Sequence, residues 1–208
     1  MKAEIEIGRL LRAGTAGFVV GCRVSQLEAP AFGGLVRAPL DGKTQIYGLI
    51  YDIHIDDDGL VRQLVTSEGV EESVIADNRL NRNVPLEISV LAVGHSQDGR
   101  ISHMLPPRPA LSLDRILRCE DDDLRQFTRA GRFGYFRHIL RLVDAPVGEL
   151  LAAHLQQAGQ AHSRAGDAAW LPSAAQELIT LLRDDYSTLM SVLGALGDVF
   201  EAHEKRPV

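Results

Sequence analysis

The stretch Tyr47-Gly48-Leu49-Ile50-Tyr51-Asp52-Ile53-His54-Ile55 sets the character of the first half of the chain, because an apolar side chain recurs at every second position. This alternation is typical of a β-strand, whose successive side chains point to opposite faces. Two other runs repeat it, with alternating positions Phe18, Val20, Cys22 and Val24 in the first and Val84, Leu86, Ile88, Val90 and Ala92 in the second. We therefore expect three long strands before residue 104.

Turn signals and shorter apolar runs surround these strands. Asp41-Gly42, Asp58-Gly59 and Asp98-Gly99 are residue pairs that readily adopt the positive φ angles of tight hairpins. Shorter runs bring the expected total to about seven strands, at 5–11, 35–38, 60–66 and 101–104. So many short strands favour a small antiparallel barrel, because a closed barrel leaves no exposed sheet edge.

The pattern changes at Leu105-Pro106-Pro107-Arg108-Pro109, where three prolines remove amide donors and favour an extended segment. Beyond this segment the apolar period becomes 3.6, which is typical of amphipathic helices. The change predicts an α+β fold with three parts: a β-barrel domain over 1–104, a proline-rich linker over 105–111 and a helical domain over 112–208.

Local signals divide the helical half further. Asp121, Asp122 and Asp123 mark the start of a helix that ends near Ala130, since carboxylates are favoured at a helix N-terminus. His154 lies within an apolar stripe and is expected in the core. We also expect a helix over 112–118 capped by Ser112, a loop over 159–167, a helix opened by the capping pair Ser173 and Gln176, and a break or bend at Gly194 and Gly197.

Composition excludes several classes of protein. The 208 residues are 45% apolar and carry a net charge of −6, which argues against nucleic-acid binding by the whole surface. Two distant cysteines, Cys22 and Cys119, make a disulfide framework or a thiolate zinc site improbable. No signal peptide and no membrane-spanning apolar run is evident, so we expect a cytoplasmic protein without a membrane partner.

Sequence motifs for nucleotide binding, hydrolysis and calcium binding are absent or incomplete. The chain has no Walker A sequence, no GxGxxG and no GxSxG, and Gly131-Arg132-Phe133-Gly134 is interpreted as a turn between helices. Asp52, His54 and Asp56 share one strand face, but Val65 stands where a calcium loop needs glutamate. We therefore expect no cofactor, and we assign no catalytic or metal-binding residue. An enzyme with a site between barrel and helices stays as an alternative.

One basic segment points to a partner. No acidic residue interrupts it between Asp123 and Asp144, and its arginines recur at helical spacings as Arg125, Arg129, Arg132, Arg137 and Arg141. They are the candidate partner-binding residues, because arginine recognises carboxylates and phosphates through paired hydrogen bonds. The alternative is that they form solvated helix faces, partly paired with the acidic residues 120–123.

Several stretches resemble the HAS barrel, a small β-barrel named after the HerA helicase and the ATP synthase. In the first half they are Ile7-Gly8-Arg9-Leu10, Gly17-Phe18-Val19-Val20, Gly33-Gly34-Leu35-Val36-Arg37-Ala38 and Gln45-Ile46-Tyr47-Gly48-Leu49-Ile50-Tyr51. The second half resembles stand-alone HAS-barrel proteins that lack the ATPase core, through Leu105-Pro106-Pro107-Arg108-Pro109, Arg118-Cys119-Glu120, Ala145-Pro146-Val147, Leu150-Leu151-Ala152-Ala153 and Leu181-Leu182-Arg183-Asp184-Asp185-Tyr186. The stretch from Tyr47 to Asp56 also resembles PRC barrels and ribosome-maturation barrels, which are binding modules too.

The HAS-barrel resemblance implies a non-catalytic adaptor or assembly module, since the related barrels of the ATP synthase mediate contacts between subunits. Such a module would associate with a nucleotide-driven machine or with itself, and its expected partner is a protein. Direct nucleic-acid binding through the arginines at 125–141 is the alternative from a different class.

Overall fold

The computed structural model describes residues 4–22, 30–55, 59–67, 69–80, 86–143 and 145–204. Val24, Asp56, Asp58 and Val84, to which the sequence patterns assign strands, turns or a site, lie outside the described residues. Seven β-strands are present in the described part: β1 (Glu6–Ala13), β2 (Gly17–Cys22), β3 (Leu35–Pro39), β4 (Thr44–His54), β5 (Leu86–Gln97), β6 (Arg100–Ser102) and β7 (Arg115–Arg118).

Six of these strands close into an antiparallel barrel. Their order around the barrel is β2-β1-β7-β3-β4-β5, and β2 pairs with β5 to complete the ring. The short β6 pairs with β5 beyond the barrel, through a hairpin in which Asp98 and Gly99 have φ of 49° and 77°. The predicted α+β class with an N-terminal barrel is confirmed, and so is the hairpin signal at Asp98-Gly99.

Two predicted elements are wrong. The run 60–66 lies in a helix rather than a strand, because its apolar residues also fit a helical spacing, which a short run cannot distinguish from a strand. The predicted helix 112–118 instead contains β7, which pairs with β1 on one side and β3 on the other. The barrel is therefore completed by a strand that lies beyond the predicted linker 105–111. The predicted division into domains 1–104 and 112–208 stays a prediction, and the pairing of β7 with β1 and β3 argues against independent folding of residues 1–104.

The helices among the described residues are α1 (Gly59–Thr66), α2 (Glu72–Leu80), α3 (Asp121–Arg129), α4 (Phe136–Ile139), α5 (Val147–Arg164), α6 (Trp170–Leu181) and α7 (Tyr186–Glu204), with a 3₁₀ turn at Ala130–Phe133. The helix start at Asp121 is confirmed, and Glu120 and Asp123 form a capping box there. The predicted loop 159–167 is wrong, because α5 continues to Arg164 and buries Ala161 and His162.

The later helix signals also fail. Ser173 lies inside the first turn of α6 and bonds back to the carbonyl oxygen of Ala169, so it does not cap that helix. Gly194 and Gly197 do not interrupt α7. Among the described residues, no atom outside the helix would lie within 4 Å of a side chain added at either glycine, so both lie on an open helix face.

Two hydrophobic cores lie on opposite sides of the barrel wall. The barrel interior is filled by Ile7, Leu10, Phe18, Val20, Val36, Ile46, Ile50, Ile88, Val90 and Ile116, among others. Leu35, Tyr47, Leu49 and Val93 point outward and pack with the helices instead. The strands β3, β4 and β5 are therefore buried on both faces, and the helices are continuous with the barrel wall. Among the described residues, no helix combines the length and the apolar character needed to cross a bilayer.

Candidate interaction surfaces

Two of the five candidate arginines serve the fold. Arg125 forms an ion pair with Asp122, one turn earlier on α3, and donates to the carbonyl oxygen of Ala161 at 3.4 Å. Arg129 pairs with Asp167 at 3.0 Å. Both guanidinium groups therefore hold α3 against the C-terminal end of α5, and their charges are already matched by carboxylates.

The turn that follows α3 redirects the basic segment. Gly131, Arg132 and Phe133 have φ of 58°, 47° and 56°, so three successive residues adopt a left-handed backbone. Gly131 is required there, because a Cβ at that position would lie 2.8 Å from Nδ1 of His103. The exposed Arg132 is consequently displaced from the helical face that Arg125 and Arg129 share.

After this bend, Arg137 lies on α4 and Arg141 lies in the turn that follows this helix. The guanidinium of Arg137 donates to the carbonyl oxygen of His103, and Nε2 of His138 donates to the same oxygen at 2.8 Å. Arg137 also reaches back to the turn, where Nη1 would lie 3.2 Å from a Cβ at Gly134. A carbonyl oxygen carries no formal charge, so this hydrogen bond does not neutralise the positive charge of Arg137.

Electrostatics identify this region as positive. Burial lowers the pKa of His138, and the charges of Arg137 and Arg141 lower it further. In the part of the chain that the structure describes, no carboxylate forms an ion pair with Arg132, Arg137 or Arg141. We call these three arginines the basic patch, because they are exposed on one continuous bend and, within the described residues, belong to no ion pair.

A cleft of about 280 Å³ lies between the barrel and the helices, where an enzymatic site was one expectation. Its rim is made of two ion pairs, Arg118 with Glu120 at 3.0 Å and Arg164 with Asp121 at 2.8 Å. Cys119 lines the same cleft, and burial raises the pKa of its thiol well above the ordinary value. A thiol that stays protonated is a weaker nucleophile than a thiolate.

The sequence patterns did not predict a Thr–His–Asp chain of contacts, in which the threonine and the histidine are buried and the aspartate is half-buried. The hydroxyl of Thr128 is 2.8 Å from Nε2 of His162, whose Nδ1 is 3.0 Å from a carboxylate oxygen of Asp167. These distances match a nucleophile, a base and an orienting acid, but the Thr128 and His162 side chains are closed to solvent. The hydroxyl also lies 2.8 Å from the carbonyl oxygen of Leu124. These contacts therefore tie α3 to the C-terminal end of α5.

Sequence spacing could not reveal this chain of contacts, because the pattern predicts a loop over 159–167 and the three residues lie on different elements.

The candidate metal ligands Asp52 and His54 lie on the exposed end of β4. No group of three or more His, Cys, Asp or Glu side chains placed to hold an ion occurs among the residues that the structure describes.

The structure thus divides the five predicted arginines, with Arg125 and Arg129 in the fold and Arg132, Arg137 and Arg141 in the basic patch. A comparison of the chain with protein-family models and with curated proteins gives no match. Function is therefore inferred from the geometry of these surfaces together with the resemblance of the sequence.

Proposed function

We propose that this chain is a non-catalytic adaptor that binds an acidic partner protein through the basic patch. The observation that carries the proposal is the group of three exposed arginines that lack a carboxylate partner among the described residues. Three like charges on one bend do not stabilise the fold through ion pairs, and an acidic surface on a partner would neutralise them.

The remaining chemistry supports binding rather than catalysis. Thr128, His162 and Asp167 have catalytic residue types but serve as internal contacts, and the cleft beside Cys119 is rimmed by matched charges. The HAS-barrel resemblance implies the same class of role, a module that attaches to a nucleotide-driven machine supplied by another chain. Arginine suits such a partner, because its planar fork binds a carboxylate bidentately.

The test uses a labelled polyglutamate peptide as the acidic probe. The variant Arg132→Glu/Arg141→Glu removes two charges of the patch without touching the His103 contacts. The control Arg100→Glu/Arg183→Glu changes the net charge equally at exposed positions elsewhere. We expect the patch variant to bind at least about tenfold more weakly, which corresponds to ~1.4 kcal/mol, and the control to bind like the original chain. Equal loss in both variants would mean that only net charge matters and would contradict the proposal.

Nucleic-acid binding is the second candidate function, because the same guanidinium forks also fit phosphate groups. Three phosphate contacts predict that log K falls against log salt with a slope of about −3. A short DNA duplex that binds more tightly than polyglutamate, with this slope and with loss in the patch variant, would favour this second candidate over an acidic protein.

A further inference from the structure

One titratable side chain lies within the basic patch. His138 directly follows Arg137 on α4 and precedes Arg141 by three residues, and it is half-buried, whereas both arginines are exposed. An arginine stays charged at every pH that a protein tolerates, but the charge of a histidine changes near neutral pH. This surface therefore combines three permanent positive charges with one side chain whose charge depends on its surroundings.

The contacts of His138 show which of its nitrogens can gain a proton. Its Nε2 is 2.8 Å from the carbonyl oxygen of His103, and a carbonyl oxygen only accepts, so Nε2 carries a proton in both charge states. Its Nδ1 forms no hydrogen bond among the described residues and is not one of their buried polar atoms without a partner, so it reaches solvent. A second proton therefore binds at Nδ1 from water, and the contact with His103 is kept.

The charges close to His138 are positive. Burial lowers the pKa of His138, and the charges of Arg137 and Arg141 lower it further, while the hydrogen bond to the His103 carbonyl opposes the shift. The helix α4 packs against β5 and α5, but in the part of the chain that the structure describes no charged group of these two elements adds to the shift. The free chain therefore keeps His138 neutral at pH 7, and the arginines are part of the reason.

His103, the other histidine of this region, is not suited to gain a proton. Its Nε2 donates to the carbonyl oxygen of Phe127 at 3.0 Å, so a second proton would have to bind at Nδ1. That atom is buried and has no hydrogen-bond partner among the described residues. Burial and the charges of Arg137 and His138 lower the pKa of His103. A charged His103 would be a buried cation without an acceptor, which is costly.

We propose that His138 is a fourth binding residue of the basic patch and takes up a proton from solvent when an acidic partner binds. The carboxylates of the partner offset the positive charges of the arginines, so the charged form of His138 becomes more favourable in the complex. Linkage then requires the acidic partner to bind more tightly as the pH falls. This inference rests on the proposed function, because it needs carboxylates at the basic patch.

The size of the effect follows from the shift that the partner causes. In the free chain His138 titrates below pH 6.5. If bound carboxylates raise the pKa of His138 by about one unit, affinity increases by up to about tenfold at low pH, and by about threefold at pH 6. At pH 8 the ring is neutral in both states and adds nothing to this dependence.

Calorimetric titration of the full chain with the polyglutamate peptide, at pH 8 and at pH 6, tests the proposal. Buffers that differ in ionisation enthalpy count the protons taken up. We expect about threefold tighter binding at pH 6, with uptake of about half a proton at His138.

Two variants separate His138 from the titration of the peptide itself. His138→Gln can still donate to the His103 carbonyl but cannot titrate, so it should bind like the original chain at pH 8 and lose the gain at pH 6. The control His54→Gln removes an exposed histidine at the end of β4 and should keep the gain.

The outcomes distinguish this inference from the proposed function. Absence of polyglutamate binding at both pH values would overturn both. Binding that is lost in Arg132→Glu/Arg141→Glu but changes equally with pH in the original chain and in His138→Gln would overturn the inference alone. A measurement without a variant is the NMR titration of the His138 ring in the original chain. Its midpoint should move to higher pH when the peptide is bound, and an unchanged midpoint would also overturn the inference.

Discussion

Acid should destabilise the junction between barrel and helices through His154. Its Nδ1 lies 3.2 Å from the carbonyl oxygen of Gly33, and its Nε2 lies 3.1 Å from the hydroxyl oxygen of Tyr135. A carbonyl oxygen only accepts, so Nδ1 carries the proton and Nε2 accepts the proton of the tyrosine. The neutral ring is thus satisfied on both nitrogens, while a second proton would create a charge that is closed to solvent.

The direction and size of the effect follow from linkage. Burial lowers the pKa of His154 from 6.5 to about 4, although the bond to Gly33 opposes the shift. Below pH 6.5 His154 binds a proton in the unfolded chain, whereas in the folded chain it binds this proton only when the pH nears 4. The free energy of unfolding therefore falls by about 1.4 kcal/mol per pH unit over this window, or ~3 kcal/mol in total. Burial lowers the pKa values of His103, His138 and His162 as well, so they act in the same direction.

Urea unfolding followed by the fluorescence of Trp170, the single tryptophan, measures this quantity. His154→Gln can donate to the Gly33 carbonyl and accept from the Tyr135 hydroxyl, but it cannot titrate. We expect this variant to be less stable near neutral pH and to lose ~3 kcal/mol less than the original chain between about pH 6.5 and pH 4. Above pH 6.5 the stability difference between the two proteins should stay constant. Equal pH dependence in both proteins would refute the assignment to His154.

Two further changes probe the same junction and the barrel. Gly33→Ala should destabilise the fold by about 2–5 kcal/mol, because Gly33 has a φ of 75° and an added Cβ would lie 2.8 Å from the Cβ of Ala153. The control is Gly42→Ala, which has open space around it among the described residues. It should change the free energy of unfolding by no more than about 0.5 kcal/mol in the same urea assay. A chain that ends at residue 104 lacks β7, which leaves β1 and β3 without their shared neighbour, so we expect no cooperative transition by circular dichroism. A cooperative transition would instead show that the predicted domain 1–104 folds alone.

The alternating pattern predicts the long strands but not which core each face joins. Tyr47 and Leu49 alternate along β4 as a buried face should, yet they pack with the helices, whereas Ile46 and Ile50 fill the barrel. Both faces of β4 are apolar, so periodicity alone cannot distinguish interior from wall. Register shifts between Tyr47 and Gly48 and between Ile50 and Asp52 further change which side a residue faces.

The strand β7 shows the other limit of local patterns. Arg115-Ile116-Leu117-Arg118 is a short run whose two adjacent apolar residues fit a helical turn as well as a strand. Its conformation is decided by pairing with β1 and β3, and the β1 partners lie more than a hundred residues earlier in the chain. Such tertiary pairing overrides a weak local preference and leaves no signal in the run itself.

The candidate arginines were predicted by residue type and spacing, but their division was not. Helical spacing places Arg132 in line with Arg125 and Arg129, and the left-handed turn breaks that line. Positive φ at Arg132 and Phe133 has no sequence signature, since neither residue favours it. Asp167, which matches the charge of Arg129, was assigned to a loop and gave no indication of the pairing.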